Sequence, residues 1–279
     1  MKIAVLLSCH NRREKTLMCL QMLFANRLPQ SLTLHVILVD DGSSDGTSES
    51  VRATYPDVEI VKGDGTLFWN RGMHLAFSIA MSKGFDAYLW LNDDTFLFDD
   101  AIDRLFTYWQ KDKSDSMHSN NLYVGSTRDV ESEITTYGGL KRHGPIKRFR
   151  FDLVEPSVNM IACDTMNGNC VLVPDNVARK LGNLDPVFEH AMGDIDYGLR
   201  AHKLGCKILL LPGYFGFCSK DELCSLPEAE SGRLVRLKWL LGQKALPPKS
   251  WMSLVRRHGG ILWPLYWIQP YLWALIKRH

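Results

Sequence analysis

The sequence predicts an α/β fold built on a parallel, doubly wound sheet, and three observations support this prediction. First, short hydrophobic runs alternate with helix-length amphipathic segments over the first 91 residues. Second, two of these runs end abruptly in acidic residues, at 40–41 and at 93–94. Third, a chain of 279 residues with 46% hydrophobic content can bury a large core. Such an alternation is typical of a sheet with helices on both faces.

The first part of the chain supplies four strands in succession. Helices are expected after the first strand and before the fourth, because hydrophobic residues recur there at helical spacing. Ligands of such sheets bind at the carboxyl ends of the strands, so polar residues at these ends are the candidates for chemistry. The predicted elements are strand 3–8, helix 13–25, strand 34–39, strand 58–61, helix 70–83 and strand 87–91.

The fourth strand is followed by Asn92, Asp93 and Asp94. Two adjacent carboxylates repel each other and are costly to desolvate, so a cation or a ribose hydroxyl between them would explain the pair. Mg²⁺ and Mn²⁺ suit oxygen ligands and usually also hold phosphates. The alternative is a plain helix N-terminus, since Asp99 and Asp100 begin another helical segment and Asp is a favoured cap.

The loops after the first two strands exclude several binding motifs. Residues 8–12 (SCHNR) stand where a dinucleotide-binding domain would carry Gly-x-Gly-x-x-Gly, and no P-loop motif occurs. The loop 40–47 (DDGSSDGT) resembles a calcium loop starting at Asp41, but its twelfth position is Arg52 where a Glu is required. A turn capped by Asp and Ser is the simple alternative for this loop.

Three segments together resemble the family 2 glycosyltransferases, which have the GT-A fold. These segments are 8–12, 39–47 and 92–94, in this order and spacing. The similarity continues through 165–174 (TMNGNCVLVP) and 193–200 (GDIDYGLR). The resemblance therefore covers roughly the first 215 residues.

The resemblance implies a catalytic domain over residues 1–230, with a nucleotide-binding half at about 1–110 and an acceptor half at about 111–230. By similarity, Asp41 would hydrogen-bond the nucleotide base, and Asp93 would contact the ribose. Asp94 would hold a divalent cation, Mn²⁺ or Mg²⁺, that bridges the phosphates. The nucleotide-sugar-binding residues implied in this way are Ser8, His10, Arg12, Asp41, Trp69, Asn70, Arg71 and Asp93.

On the acceptor side, the resemblance implies Asp194 as the general base of an inverting transfer. Asp194 opens a helix predicted over 194–204, and a helix N-terminus favours an ionised carboxylate. The implied acceptor-binding residues are Asn167, Gly168, His190 and Asp196. The simple alternatives are an N-cap for Asp194, a structural histidine at 190, helix support for Asp196 and a surface arginine at 71.

Glycosyl transfer needs such groups in any fold. Negative charge grows on the leaving oxygen of the nucleoside diphosphate, where a metal acts as a Lewis acid. The incoming hydroxyl must lose its proton, which a correctly placed carboxylate can accept.

Two positions depart from the family pattern. Gly193 stands where many relatives have Glu or Asp, and no His follows the strand predicted at 207–211, where many relatives have a metal ligand. Cys218 lies near that place. A thiolate is a soft ligand that suits Mg²⁺ and Mn²⁺ poorly, so a buried structural cysteine is expected there.

Beyond residue 230 the composition changes. Residues 231–279 contain nine Lys and Arg and no acidic residue, whereas the first 230 residues have a net charge of −7. Five of the eight tryptophans fall in this tail. Amphipathic helices are predicted at 234–241 and 251–257, and the uncharged segment 259–276 is predicted to lie in a membrane interface. The alternatives are a helical subdomain packed on the core or an oligomer contact.

The seven cysteines are odd in number and none is spaced as Cys-x-x-Cys, which suits a reducing compartment. No signal peptide is expected, because the first strand begins almost at Met1. These features predict a cytoplasmic protein held on the inner face of the cell membrane.

The sequence therefore favours an inverting, metal-dependent hexosyltransferase that moves a sugar from a nucleotide diphosphate to a hydroxyl of a lipid-linked or growing glycan. By resemblance, the setting is bacterial cell-surface polysaccharide assembly, with no nucleic-acid partner. One alternative is a sugar-1-phosphate nucleotidyltransferase, although residues 8–12 lack the glycine-rich, arginine-containing loop of such enzymes. The other is a non-catalytic protein that binds glycans or nucleotides.

Overall fold

A computed structural model of the chain describes residues 1–115, 119–144, 148–220, 232–243 and 245–276. Some residues used in the sequence analysis lie outside the described ones. They are Cys224 and three basic residues of the tail, Lys244, Lys277 and Arg278.

The described strands form a large central sheet and a small second one. They are β1 (Lys2–Cys9), β2 (Thr33–Asp40), β3 (Glu59–Lys62), β4 (Ala87–Leu91), β5 (Phe96–Leu97), β6 (Asn121–Arg128), β7 (Thr135–Tyr137), β8 (Gly139–Arg142), β9 (Phe151–Leu153), β10 (Ile161–Cys163), β11 (Thr165–Met166), β12 (Cys170–Pro174) and β13 (Lys207–Phe217).

The central sheet has the order β10-β13-β6-β12-β4-β1-β2-β3, and the small sheet has the order β11-β8-β9. Strands β3, β2, β1 and β4 are mutually parallel, and β13 is parallel to β6. Strand β12 runs antiparallel between β4 and β6. The predicted α/β fold with a mostly parallel sheet is confirmed, while the antiparallel β12 could not be predicted from hydrophobicity alone.

Helices cover both faces of this sheet, and the alternation of residues in β1 shows why. Ile3, Val5 and Leu7 belong to one hydrophobic core, whereas Ala4 and Leu6 belong to the core on the opposite face. The helices are α1 (Arg13–Phe24), α2 (Thr47–Thr54), α3 (Phe68–Lys83), α4 (Ala101–Asp115), α5 (Asp175–Leu181), α6 (Gly193–Lys203), α7 (Arg233–Leu240), α8 (Pro248–His258) and α9 (Trp263–Ile276).

The order of the strands brings three loops together. From β1 the chain continues to β2 and β3 on one side, and then crosses to place β4 on the other side of β1. Cys9 is paired with Asp40, and Leu6 is paired with Trp90. The loops that follow β1, β2 and β4 therefore meet at one edge, which is the point where α/β sheets bind ligands.

Strand β13 is longer than the strand predicted at 207–211. It continues through Pro212 and Gly213 to Phe217, with register shifts between Leu210 and Tyr214 and again before Gly216. A bulge accommodates a proline that cannot donate to the ladder, so Pro212 interrupts the pairing without ending the strand.

The C-terminal tail packs on the core as the helices α7, α8 and α9. Trp251, Leu254 and Val255 of α8 are buried in a cluster that includes Phe188 and Leu199. This arrangement corresponds to the helical subdomain named above as an alternative to a separate membrane tail. Among the described residues, none of the helices combines the length and the apolar character needed to cross a bilayer.

Candidate active site

A cavity of about 500 Å³ opens where the loops after β1, β2 and β4 meet the first turn of α6. Most of the predicted site residues line this cavity. They are Ser8, His10, Arg12, Asp41, Trp69, Asp93, Asp94, Asn167, Gly168, His190 and Asp194.

The predicted carboxylate pair is bridged by an arginine side chain. Arg12 Nη1 donates to Asp93 Oδ1 at 3.1 Å and to Asp94 Oδ2 at 2.7 Å. Burial raises the pKa of Asp93 to about 7, the charge of Arg12 opposes that rise, and the neighbouring Asp94 adds to it. The guanidinium of Arg12 therefore lies between the two carboxylates.

The same pair offers oxygen ligands to a divalent cation. Asp93 Oδ2 is buried and has no hydrogen-bond partner among the described residues. Carboxylate oxygens are the donors that Mg²⁺ and Mn²⁺ prefer, so Asp93 and Asp94 fit such an ion chemically. In the part of the chain that the structure describes, however, three or more acidic, His or Cys side chains do not converge on a metal-sized site. A cation held here would therefore take its remaining ligands from a diphosphate and water.

Cys218 lies beside Asp94, near the position where the resemblance implies a metal-binding His. Its thiol donates to Asp94 Oδ1 at 3.5 Å, and the residue is buried. Burial raises the pKa of Cys218 well above its usual value, and the charge of Asp94 raises it further. The side chain therefore stays a neutral thiol that orients Asp94.

Asp41 anchors the loop that leads into α3. Its Oδ1 accepts from the backbone N–H of Gly65 at 2.8 Å, and its Oδ2 accepts from that of Phe68 at 2.9 Å. His10 Nδ1 donates to the carbonyl oxygen of Asp41 at 2.5 Å, while Asn11 Nδ2 donates to His10 Nε2 at 3.1 Å.

Asp194 lies in the first turn of α6 with both carboxylate oxygens on backbone donors. Oδ2 accepts from the N–H of Gly168 at 3.0 Å, and Oδ1 accepts from the N–H of Ile195 at 2.8 Å. Burial raises the pKa of Asp194 to about 6, and these backbone donors limit the rise. A carboxylate with this pKa is ionised at neutral pH and is well matched to proton abstraction.

Trp69 connects the two sides of the cavity. Its Nε1 donates to Asn92 Oδ1 at 2.7 Å, beside the carboxylate pair. Its ring lies so close to Gly168 that a Cβ atom there would come within 2.5 Å of it. A side chain at residue 168 would displace the Trp69 ring from Asn92. Glycine at this position therefore allows that contact, and its N–H donates to Asp194.

Two predicted donor-site residues, Asn70 and Arg71, do not line the cavity. Asn70 is fully buried, and its Nδ2 donates to the carbonyl oxygens of Asp185 and Phe188 at 2.9 and 2.7 Å. Arg71 Nε donates to the carbonyl oxygen of Pro186 at 2.9 Å. Both side chains fix the segment before α6, because the first turn of α3 presents them to that segment and not to the donor loops.

The position of Asn70 explains one departure from the family pattern. A Cβ atom at Gly193 would lie 1.7 Å from Asn70 Oδ1. An acidic residue at 193 is therefore incompatible with the buried Asn70 of this chain.

Asp196, predicted on the acceptor side, also lies away from the cavity. Its side chain is fully buried and pairs with Arg200, Arg257 and His258. Residues two apart on a helix point in directions about 200° apart, since each residue advances about 100°. When Asp194 faces the cavity, Asp196 therefore faces the tail, so the alternative of helix support describes its position.

Several lining residues were not predicted. Most of them sit inside or beside motifs that the sequence analysis singled out, and Tyr137 and Gln243 lie where no local pattern marks a site. Asn11, Phe68 and Met192, at or beside the cavity, have left-handed φ values of 50°, 55° and 75°, a backbone strain that is common at functional sites. The unpredicted lining residues are Cys9, Gly65, Phe68, Asn92, Tyr137, Asn169, Ala191, Met192, Ile195 and Gln243.

Comparison with known proteins adds a family and a fold. The sequence model described as "Glycosyl transferase family 2" matches residues 4–171. The search of curated proteins finds no match. Among solved structures, S. aureus TarS 1-349 is similar with a TM-score of 0.59 at 14% identity, over 99% of this chain and 81% of that chain.

Two further structures were determined with ligands. S. aureus TarS 1-349 in complex with UDP is similar with a TM-score of 0.59 at 12% identity, over 99% of this chain and 81% of that chain. The mannosyltransferase PcManGT from Pyrobaculum calidifontis, in complex with GDP-Man and Mn²⁺, is similar with a TM-score of 0.51 at 15% identity. That match covers 98% of this chain and 71% of the other. At these identities the likeness concerns the fold.

Proposed function

The chain belongs to glycosyl transferase family 2, and on that premise we propose that it transfers a hexosyl group from a nucleotide diphosphate sugar to a hydroxyl of a lipid-linked or growing glycan, with inversion. One observation carries the proposal. A single cavity holds Asp93 and Asp94, which Arg12 bridges, and also Asp194, which lies on another element and has a raised pKa. The pair suits a diphosphate leaving group, and Asp194 suits removal of a proton from the acceptor.

The donor is assigned to the side of the cavity formed by the loops after β1, β2 and β4. Each carboxylate oxygen of Asp41 has lone-pair capacity beyond its one backbone donor, so it can also accept from a nucleotide base. Asp93 is assigned to the ribose, and Ser8, His10 and Trp69 to the walls around the nucleotide. The UDP and GDP-Man bound by the two structurally similar proteins support a nucleotide sugar as the donor.

Binding a diphosphate in this cavity requires positive charge. Four carboxylates line the cavity, and Arg12 is the one Lys or Arg among its described lining residues. We assign Asp94 to hold Mn²⁺ or Mg²⁺, which when bound would stabilise the charge that grows on the leaving diphosphate. Arg12 remains beside the same oxygens and can turn its guanidinium toward a phosphate.

The acceptor is assigned to the side formed by α6 and the loop after β11. Asp194 takes the proton of the attacking hydroxyl as that oxygen bonds to the anomeric carbon and the nucleoside diphosphate leaves. The N–H of Gly168 keeps Asp194 in place during this step, and Asn167 and His190 are assigned to the acceptor sugar.

Replacing Asp41 with Ala is expected to weaken binding of the nucleoside diphosphate by about 10-fold or more. A hydrogen bond to a charged group contributes about 1.5–3 kcal/mol, and the change also frees the N–H groups of Gly65 and Phe68. Isothermal titration with UDP and GDP measures the effect. Asp64→Ala is the matched control, because Asp64 is an exposed acid in the loop between β3 and α3 and accepts hydrogen bonds from Thr66. Equal affinities for wild type and Asp41→Ala would leave Asp41 as a turn residue only.

A screen of nucleotide sugars tests the proposed function itself. The purified protein is incubated with UDP- and GDP-sugars, with and without Mn²⁺, and release of nucleoside diphosphate is measured. The proposal expects release from at least one donor, and faster release with Mn²⁺. A nucleotidyltransferase would instead form pyrophosphate from a nucleoside triphosphate and a sugar phosphate, and a binding protein would turn over neither. Either result would contradict the proposal.

We also propose that α9 and the turn before it rest on an anionic membrane surface. Large apolar side chains stay exposed there, including Ile261 at 94%, Leu265 at 63% and Ile276 at 69%. Basic residues of the tail would meet acidic headgroups, and each such residue would contribute about 1 kcal/mol to the binding free energy. Attachment to the inner face of the cell membrane and a role in cell-surface polysaccharide assembly stay predictions from the sequence.

The double substitution Ile261→Gln and Leu265→Gln is expected to lower binding to anionic vesicles by about 10-fold or more, because burial of such side chains contributes about 1.5–3 kcal/mol each. Co-sedimentation with phosphatidylserine vesicles measures it. Val158→Gln is the control, since Val158 is 88% exposed but lies outside the tail. Deleting the whole tail is unsuitable, because α8 belongs to a buried cluster. Unchanged binding of the double variant would contradict the membrane assignment.

A further inference from the structure

The tail is attached to α6 through a buried cluster of charged and polar side chains. Asp196 Oδ2 accepts from Arg257 Nη1 at 2.7 Å and from Arg200 Nε at 2.9 Å. Asp196 Oδ1 accepts from His258 Nε2 at 2.9 Å. The side chains of Asp196 and His258 have no exposed surface, so this contact is made inside the protein.

Arg257 extends the attachment to the segment that precedes α6. Its Nη2 donates to Asp185 Oδ2 at 2.6 Å, so one guanidinium joins two carboxylates. The carbonyl oxygen of Asp185 in turn accepts from Asn70 Nδ2 at 2.9 Å. The end of α8 therefore holds both the first turn of α6 and the segment that leads into it.

Burial and the neighbouring charges together set the protonation state of His258. Burial lowers the pKa of His258, although Asp196 opposes that effect, so the imidazole is neutral at pH 7. For Asp196, burial alone would raise the pKa, but the hydrogen bond from His258 and the charges of Arg200 and Arg257 hold that pKa below its usual value. His258 is thus a neutral Nε2–H donor to an ionised carboxylate.

Apolar packing accompanies these bonds. Phe188, Met192 and Leu199 form one buried cluster with Trp251 and Val255 of α8. Met192, the residue before α6, has a left-handed φ of 75° and is 6% exposed. A strained residue persists only where the surrounding packing fixes it, and here α8 supplies part of that packing.

We propose that Arg257 and His258, acting through Asp196, are positioning residues that hold the first turn of α6 so that Asp194 faces the cavity. This inference rests on the proposed role of Asp194 as the base. Asp194 and Asp196 point to opposite sides of α6, so fixing Asp196 against α8 fixes the rotation of the turn that carries Asp194. The tail then positions Asp194, in addition to making the proposed contact with a membrane surface.

A pair of substitutions at His258 tests this role. His258→Leu removes the donor to Asp196, whereas His258→Gln keeps an N–H donor near the position of Nε2. His258→Leu is expected to lower kcat by about 10-fold or more, with the affinity for UDP or GDP changed less than about 3-fold, since general-base catalysis contributes 10²–10⁴-fold. His258→Gln should restore most of the rate.

The pH dependence gives a second readout that a general loss of stability would not produce. If the first turn of α6 loosens, water reaches Asp194 and the burial that raises its pKa is reduced. The acid limb of kcat, expected near pH 6 in wild type, should therefore move to lower pH in His258→Leu and return in His258→Gln. The other charged groups and histidines that the structure describes on the two sides of α6 are Arg12, Asp41, Asp93, Asp94 and His190 at the cavity and Asp185, Asp196, Arg200, Lys203, Arg257 and His258 at α8.

Hydrogen–deuterium exchange of residues 193–203 tests the positioning role even if no substrate is turned over. Faster exchange of the first turn of α6 in His258→Leu, but not in His258→Gln, supports the proposal. If His258→Leu does not fold, Arg257→Lys replaces it, because lysine keeps the charge but cannot bridge two carboxylates as arginine does. Unchanged exchange and an unchanged pH profile in a folded variant would overturn the proposal. If His258→Leu shows the faster exchange but the wild-type protein turns over no nucleotide sugar, the positioning role is supported and the proposed function is contradicted.

Discussion

Replacing Asp194 with Asn is expected to lower kcat for sugar transfer by about 10²-fold or more while nucleotide affinity stays nearly unchanged. The amide keeps the shape of the side chain and can still accept from the N–H of Gly168 or Ile195, but it cannot take a proton from the acceptor. Steady-state rates at saturating donor, together with titration of UDP or GDP, measure the two effects separately. Asp57→Asn is the control, since Asp57 is exposed on the turn before β3.

The same assignment fixes the sign of the pH dependence. Asp194 acts as a base only when ionised, and its pKa is raised to about 6. In wild type, kcat should therefore fall as the pH drops through about 6 and level off above it. Asp93, whose pKa is raised to about 7, belongs to the donor side, so its protonation should appear mainly in the KM of the donor. An active Asp194→Asn variant with an unchanged acid limb of kcat would show that another residue acts as the base.

Replacing Asp94 with Asn is expected to abolish cation-dependent turnover, with a loss of about 10²-fold or more, because the preorganised charge at a leaving group contributes several kcal/mol. The substitution removes the charge that Arg12 contacts at 2.7 Å and leaves Arg12 on Asp93. Binding of Mn²⁺, followed by electron paramagnetic resonance in the presence of UDP or GDP, should weaken in parallel.

The control for this change must separate charge from folding. Asp57→Asn should keep wild-type rates, and the thermal unfolding midpoint of Asp94→Asn should stay close to that of wild type. A folded Asp94→Asn variant with wild-type rates and Mn²⁺ affinity would remove Asp94 from the metal site.

The donor half of the site could be predicted because its signals are local. Each of β1, β2 and β4 is a hydrophobic run that ends in polar residues, and a parallel sheet brings such ends to one edge. Asp41, Asp93 and Asp94 therefore line the cavity as expected. Arg12 lies in the loop after β1, so the same rule places it at this edge.

The predicted site residues that lie away from the cavity are those whose side-chain orientation is decided by long-range packing. Asn70 and Arg71 stand next to Trp69 in the sequence, yet their partners lie between residues 185 and 189. Asp196 meets Arg257 and His258, which are 61 and 62 residues away. No periodicity or motif encodes such a contact.

The tail illustrates the same limit. Its charge and its tryptophans favoured a membrane segment, and helices did form close to the predicted boundaries. The composition did not show that Trp251 and Val255 would be buried against the segment that carries Asp194. Trp251, Leu254 and Val255 of α8 are buried, whereas Leu265, Trp273 and Ile276 of α9 are exposed.

The configuration of the transferred sugar tests the central claim most directly. With a donor identified by nucleoside diphosphate release, the coupling constant of the anomeric proton is followed by nuclear magnetic resonance during transfer to an acceptor. A single displacement with Asp194 as the base predicts a first-formed product of inverted configuration, formed about 10²-fold or more slowly by Asp194→Asn. A first-formed product that retains the configuration of the donor would contradict this account.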